Sequence, residues 1–352
     1  MEIGSEFWLD NIPIEWNSDI PDWIEKFGNT VLTSSGRGAI SLLLHEVQPK
    51  LKTALLPAYI CNSVILPFIA QGYTCYFYDT NSDLTPDFES IVARGDIGIF
   101  LHMGYYGFPT NNGLLDIIKR FKTESTIIVE DITHTLFSNY QRFEENDYYM
   151  ASIRKWMGLP SGGFLASPNR TVESTLRHNQ LFANIRREAQ LVKARYLSGG
   201  DEALKSRYLD LFAKGEAVLD SDIEPYHIDA LSMALISMVD VNGLIDKRRA
   251  NFKILSEGLK NVKYIESIFT GLPENICPLF YPIYIKKKRS EICQKLIEKN
   301  IYCPIHWPVP EQIECRHFEN AANIYNIVLS IPCDQRYGVE DMKRVVSVLR
   351  GL

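Results

Sequence analysis

The 352-residue sequence has no CxxC pair, no apolar run long enough to span a bilayer and no cluster of basic charge. Each absence excludes a class of protein. The seven cysteines (Cys61, Cys75, Cys277, Cys293, Cys303, Cys315 and Cys333) lack zinc-site spacing, and their odd number does not suggest a disulfide framework. The longest apolar stretches, such as SVILPFIA at 63–70, fall far short of the roughly 20 residues a transmembrane helix needs. The N-terminal MEIGSEFWLD has no basic segment leading into an apolar core. No signal peptide is read there, and the thiols are expected to be reduced, in a cytoplasm. The net charge of −6 is mild, and the basic run Lys286–Arg289 is short, reading as a solvated loop or helix start. Neither a nucleic-acid nor a membrane partner is expected. Internal repeats, low-complexity tracts, GxGxxG and Walker motifs are also missing.

What remains is ordinary globular composition, 46% apolar and 23% charged, in a chain long enough for about two domains. Short β-rich runs (TALLPA, TCYFYD, IGIFLHM, STIIVED) alternate with helical patterns (AISLLLHEV, SVILPFIAQG, TPDFESIVARG, NGLLDIIKRFK). That alternation predicts an α/β fold: a mostly parallel central sheet flanked by crossover helices. One long helix is expected over 232–259, and 196–223 reads as a polar, helical excursion on the surface. A second α/β pattern then runs through PLFYPIYIK, SEICQKLIEKN, IYCPIHW and VEDMKRVVSVL. The expected division is a large domain over 1–240 and a smaller one over 241–352.

In open α/β sheets ligands bind beyond the carboxyl ends of the strands. TSSGRGAIS, at 33–41, is hydroxyl- and glycine-rich and opens a helix, with Ser34 and Ser35 as candidate caps. A helix N-terminus of this kind suits a phosphate. STIIV ends in Glu130-Asp131, with His134 three residues on. Lys155 follows 24 residues after Asp131 in SIRKW, with Ser152 three residues before it and Gly162-Gly163 after it. A phosphate cup, a strand-end carboxylate and a lysine combine in the chemistry of pyridoxal phosphate. That cofactor takes a lysine on its aldehyde, an acid at its ring nitrogen and donors on its phosphate. An apolar setting would help the lysine lose its proton.

In these segments the chain resembles the DegT/StrS family of sugar aminotransferases, which have the type-I fold of pyridoxal phosphate enzymes. SGRGAI (Ser35–Ile40) is similar to the family's phosphate turn, PAYIC (Pro57–Cys61) to PAYTF and EDITH (Glu130–His134) to EDAAQ. Lys155 with Gly162 and Gly163 matches the cofactor lysine and its Gly-Gly pair. HWPVP (His306–Pro310) and IPCDQ (Ile331–Gln335) are similar to two C-terminal segments. The resemblance implies that Lys155 holds the cofactor and moves the proton. Asp131 pairs with the ring nitrogen, and His134 lies near the ring hydroxyl. Ser35, Gly36, the backbone N–H groups of Arg37 and Gly38, and Ser152 hold the phosphate. It also implies a homodimer. Cys61 stands where many members have an aromatic that stacks on the ring, with Tyr59, Tyr105 or Tyr106 as candidate substitutes. Arg37 replaces a threonine, either gripping the phosphate or facing substrate. Pro225–Ile228 replaces a segment that supplies an asparagine to the neighbouring subunit, and Met150 replaces a serine.

The reaction expected from this resemblance moves an amino group from glutamate to a nucleotide-linked keto-sugar, for surface polysaccharide. Two alternatives stay open. One is a pyridoxal phosphate enzyme on a non-sugar substrate, a lyase or another transaminase. The other is a non-catalytic regulatory or binding relative. No metal site is expected. Trp156 reads as packing, and Arg186 and Arg187 as solvated helix charges. His306 is either a loop residue or a site residue, and His102 either a wall of the site or a contact in it.

Overall fold

The carboxyl ends of five strands of one sheet set the position of everything that follows. A computed structural model describes residues 2–9, 19–92, 96–172 and 175–352. Its strands are β1 (Ile3–Gly4), β2 (Asn29–Thr33), β3 (Thr53–Pro57), β4 (Thr74–Tyr78), β5 (Ile99–Met103), β6 (Ile127–Asp131), β7 (Tyr148–Ser152), β8 (Gly163–Ser167), β9 (Ile265–Ser267), β10 (Tyr281–Ile285), β11 (Ile301–Tyr302) and β12 (Val328–Ile331). Its helices are α1 (Asp22–Glu25), α2 (Gly36–Glu46), α3 (Asn62–Ala70), α4 (Phe88–Val92), α5 (Leu115–Thr123), α6 (Gln180–Leu197), α7 (Glu202–Ser221), α8 (Ala230–Ser237), α9 (Val241–Leu259), α10 (Arg289–Glu298), α11 (Glu319–Ile327) and α12 (Val339–Arg350).

The large sheet runs β2-β8-β7-β6-β5-β3-β4. The run from β7 to β4 is parallel, and β8 is antiparallel to both its neighbours. Strands β5, β6 and β8 are buried at every position, and for β5 and β6 that burial is why they read as continuous apolar runs: helices cover both faces. The mixed α/β architecture and its mostly parallel sheet are as the alternating pattern predicts. A second sheet, β12-β10-β9, is antiparallel throughout, and β1 pairs in parallel with β11, so the first residues pack against the C-terminal third.

Register aligns the site. Met103, Asp131 and Met150 sit side by side across β5, β6 and β7. Thr33, Gly163 and Ser152 form the matching row across β2, β8 and β7.

Two expectations change and a third gains a role. The helix expected over 232–259 is two, because Asp240 accepts from the Gly243 N–H and starts α9 afresh. The helix read into TPDFESIVARG forms over Phe88–Val92, and residues 93–95 lie outside the described residues. The stretch 196–223 is helical and largely at the surface, as expected, with only Tyr208, Phe212, Gly215 and Leu219 of α7 buried, but it also contributes to the site. It lies mostly in α7, which packs along α6 and brings Glu216 into the cavity described next. Strands β1, β2, β7, β8, β9 and β12 were not marked by the sequence pattern.

Candidate active site

A cavity of about 540 Å³ opens where β2, β5, β6 and β7 end. That volume lies within the range of small-molecule sites. One wall is the start of α2. Ser35 caps this helix, its Oγ accepting from the Gly38 N–H at 3.0 Å. Ser35, Gly36 and Arg37 line the cavity. The glycine pair after the lysine has a packing reason. A Cβ on Gly163 would meet the backbone of Ser35 and Gly36 at 2.4–2.7 Å, and Gly162 holds a φ of +145° that other residues avoid. The Gly162 N–H donates to the Ser34 carbonyl at 2.8 Å, and the Gly162 carbonyl accepts from the Ile153 N–H at 3.1 Å. The cup and the lysine turn are thus tied through one glycine.

Lys155 ends a single 3-10 turn, Ile153–Lys155, directly after β7. The expected apolar burial is not what the structure shows: Lys155 is exposed, and its side chain lines the cavity. Its neighbour Trp156 is fully buried and packs as expected.

Asp131 is 3% exposed and lines the cavity. Burial raises its carboxyl to about 6, against the pull of Thr133 hydrogen bonds and of Lys155. The adjacent Glu130 faces the other side of the strand, as alternation requires. It bonds there to Arg142 (2.6 Å), Tyr140 (3.0 Å) and Asn146 (2.8 Å). His102 belongs to that second network, with Asn146 and Asn111 at 3.0 and 2.8 Å, and is not among the cavity's lining residues. It is neither wall nor contact.

Thr133 was not singled out by the sequence reading, yet it joins the parts. Its N–H donates to Asp131 Oδ1 at 2.8 Å, its Oγ1 accepts from the Ser152 N–H at 3.0 Å, and its carbonyl accepts from Trp156 Nε1 at 2.7 Å. The signal was there as Asp-x-Thr, an aspartate bonding the backbone two residues on. His134 also lines the cavity, and burial, then Lys155, lowers it to about 3.

Residues 227–350 match the model of the DegT/DnrJ/EryC1/StrS aminotransferase family. The match covers the C-terminal third of the chain, and it is to a family of aminotransferases. Among solved structures it is similar to Helicobacter pylori PseC, an aminotransferase involved in the biosynthesis of pseudoaminic acid (14% identity, 99% of this chain and 98% of that one, TM-score 0.69). It is similar also to Spr1654 from Streptococcus pneumoniae in its PLP-form (14%, 96% and 92%, 0.69) and to the sugar aminotransferase CalS13 from Micromonospora echinospora (15%, 93% and 89%, 0.64). No curated protein matches.

DegT/StrS aminotransferases depend on pyridoxal 5′-phosphate, and one of the similar structures, that of Spr1654, is a PLP-form. The donor set of this chain fits that cofactor: an accessible amine on Lys155, a buried acid on Asp131 and a helix N-terminus beside Ser35 and Ser152, all on one cavity. Some details differ from the family pattern. The Gly38 N–H is taken by Ser35 Oγ, and Gly38 is not among the lining residues. Cys61 lines the cavity. Tyr59, Tyr105 and Tyr106 do not, and Tyr59 is fully buried. The aromatic walls are His134, His306, Trp307 and Phe280 instead.

Arg37 faces neither alternative cleanly. Its guanidinium lies 2.7 Å from Asp220 and 3.5 Å from Glu216. Glu216 also meets Arg154 at 3.2 Å and Arg186 at 2.9 Å. Arg186, expected in solvent, is 3% exposed and bridges Glu216 to Glu6, whereas Arg187 is exposed as expected. Burial works to raise the Glu216 carboxyl, but Arg154, Arg186, Arg37 and Lys155 together bring it down to about 2. Single-sequence reading misses this cluster because its members come from β2–α2, the lysine turn and the α6–α7 hairpin.

Proposed function

We propose that the enzyme transfers an amino group from glutamate to a nucleotide-linked keto-sugar, in the synthesis of a surface polysaccharide. The observation that carries this reading is the shared cavity of Lys155, Asp131 and the α2 N-terminus, in a chain whose residues 227–350 match this aminotransferase family. When bound, pyridoxal phosphate supplies an electron sink that stabilises a carbanion beside the amine. The chain's residues do the rest. The N-terminus of α2 with Ser35 and Ser152 orients the phosphate. Asp131, ionised above about pH 6, would hold a proton on the cofactor's ring nitrogen. Lys155 Nζ, bound to nothing else among the described residues, would hold the aldehyde and would then be free to carry the proton.

The cavity draws on residues before and after 240, from Ser35 and Lys155 to His306 and Asp334. We propose a division into domains 1–240 and 241–352, because the seven-stranded sheet lies before 240 and the three-stranded sheet after it. We propose a homodimer on the family resemblance, which sedimentation at the 40.3 kDa of one chain would count against. A cytoplasmic setting is proposed on the seven free thiols.

The test is spectroscopic. Purified protein with added pyridoxal phosphate should show the visible band of a lysine-linked cofactor, absent from Lys155→Ala. Glutamate should convert it to the shorter-wavelength amine form, and a nucleotide-linked keto-sugar should restore it. A band unaffected by glutamate sinks the donor assignment, and restoration by keto acids alone sinks the sugar.

A further inference from the structure

His306 sits in a closed circuit of hydrogen bonds that fixes where its proton lies. Its Nδ1 is 2.7 Å from Ser330 Oγ. Ser330 Oγ is 3.3 Å from Tyr106 Oη, and Tyr106 Oη is 2.8 Å from Tyr59 Oη. Tyr59 Oη bonds in turn to the carbonyl oxygen of His306. A carbonyl only accepts, so Tyr59 donates to it. A phenol has one proton, so Tyr106 donates to Tyr59. By the same count Ser330 donates to Tyr106. The proton between His306 and Ser330 then belongs to His306 Nδ1, and Nε2 is left as a bare acceptor.

His134 has the opposite arrangement. Its Nδ1 accepts from the Tyr106 N–H at 3.3 Å, so its Nε2 carries the proton. The two rings are 5.9 Å apart and both line the cavity with Lys155. The site therefore presents an imidazole donor and an imidazole acceptor to whatever enters.

We infer that His306 is a specificity-determining residue, its bare Nε2 accepting a hydrogen bond from a hydroxyl group of the amino acceptor. The inference rests on the reading of that acceptor as a sugar. A neutral hydroxyl suits the position better than an ammonium group. Burial, His134 and Lys155 all act to keep His306 uncharged, and the same Lys155 charge repels a second cation. Around it stand the rings of Phe280 at 4.9 Å, Trp307 at 5.4 Å and Tyr106 at 5.7 Å. Apolar ring faces with one fixed acceptor match a molecule that carries both C–H faces and hydroxyls. Nothing among the described residues bonds to Nε2.

The experiment uses the cofactor-loaded enzyme, ¹⁵N-labelled at histidine, with His306 assigned by its loss in His306→Asn. The spectrum should show Nδ1 protonated and Nε2 bare, and Ser330→Ala should release that preference. An Nε2-protonated His306 in the wild type overturns the inference whatever the acceptor. Kinetics then compare a nucleotide-linked keto-hexose with pyruvate, which has no hydroxyl. His306→Asn keeps an atom for Ser330 but none at the Nε2 position. It should raise KM for the keto-hexose about tenfold more than KM for pyruvate, the size of one lost hydrogen bond. His306→Gln, which can place an acceptor near Nε2, should recover much of the loss. Equal losses on both acceptors, or none on the keto-hexose, overturn the inference. A wild type that aminates only pyruvate overturns the sugar reading and the hydroxyl partner with it, while the spectrum still judges the tautomer.

Discussion

Trp156 Nε1 donates to the carbonyl oxygen of Thr133 at 2.7 Å. The bond joins the residue next to Lys155 to the loop that holds Asp131, since the Thr133 N–H donates to Asp131 Oδ1. Arg248 secures the same tryptophan from the other side. Its guanidinium lies 4.6 Å from the Trp156 ring and donates to the Trp156 carbonyl at 3.1 Å and to the Leu279 carbonyl at 2.9 Å. Lysine and carboxylate, 24 residues apart, are thus tied through the Trp156 side chain and the Thr133 backbone.

Replacing Trp156 by phenylalanine keeps most of the buried ring and removes the donor. The Thr133 carbonyl is then left without its partner inside the protein. The expected loss of stability is about 1–3 kcal/mol, the cost of a buried polar group stranded by its partner's removal. Urea unfolding of Trp156→Phe measures it. A variant as stable as the wild type would mean that packing alone holds the loop.

Gly163→Ala tests the contact between β8 and the cup. The new methyl would sit 2.4 Å from the Ser35 carbonyl carbon and 2.7 Å from the Gly36 nitrogen, both backbone atoms. Relief requires the start of α2 to move. A destabilisation of about 1–3 kcal/mol is expected from overpacking, together with weaker cofactor binding than in the wild type. Titration with pyridoxal phosphate reads the second effect. Unchanged affinity would show that the cup tolerates the shift.

How much of this was legible in the sequence follows from the range of the interactions. The strand-end Asp131, the capped turn at Ser35 and the Gly-Gly pair are local patterns, each with a physical reason within a few residues. The alternating runs announced the parallel strands because burial on both faces leaves a continuous apolar signature. The two-residue β11 was expected near IYCPIHW all the same, whereas the four-residue β12 carries no such length and was not marked. The arginines around Glu216 lie beyond sequence reading for a different reason. Arg37, Arg154 and Arg186 converge only once α6 and α7 pack against the cup, and 196–223 has the polar composition of a surface helix. His306 could be noticed in PIHWP, but the circuit through Ser330, Tyr106 and Tyr59 spans 271 residues between its first and last members, Tyr59 and Ser330.

The buried acid and the buried imidazoles should give the cofactor-free protein opposing pH dependences. Asp131 has a folded pKa raised to about 6 from 3.8. As pH rises from about 4 to about 6, the unfolded chain has released a proton that the native state still holds, so stability falls. Above pH 6 the whole penalty of a desolvated carboxylate remains. Asp131→Asn keeps an oxygen for the Thr133 N–H and removes that penalty. It should be more stable than the wild type at pH 8, by up to about 3 kcal/mol at roughly 1.4 kcal/mol per pKa unit, and show no advantage below pH 4. His134 works in the other direction. Its folded pKa is lowered from 6.5 to about 3, so below pH 6.5 the unfolded chain gains a proton that the native state refuses, and stability falls as pH falls. His134→Gln should flatten that acid limb without altering the alkaline side. Urea midpoints for the wild type and both variants at pH 4, 6 and 8 separate the two effects. An Asp131→Asn variant no more stable than the wild type at pH 8 would mean that Asp131 is already well solvated or paired without cofactor. Its role at the ring nitrogen would then need a solvated carboxylate rather than a buried one.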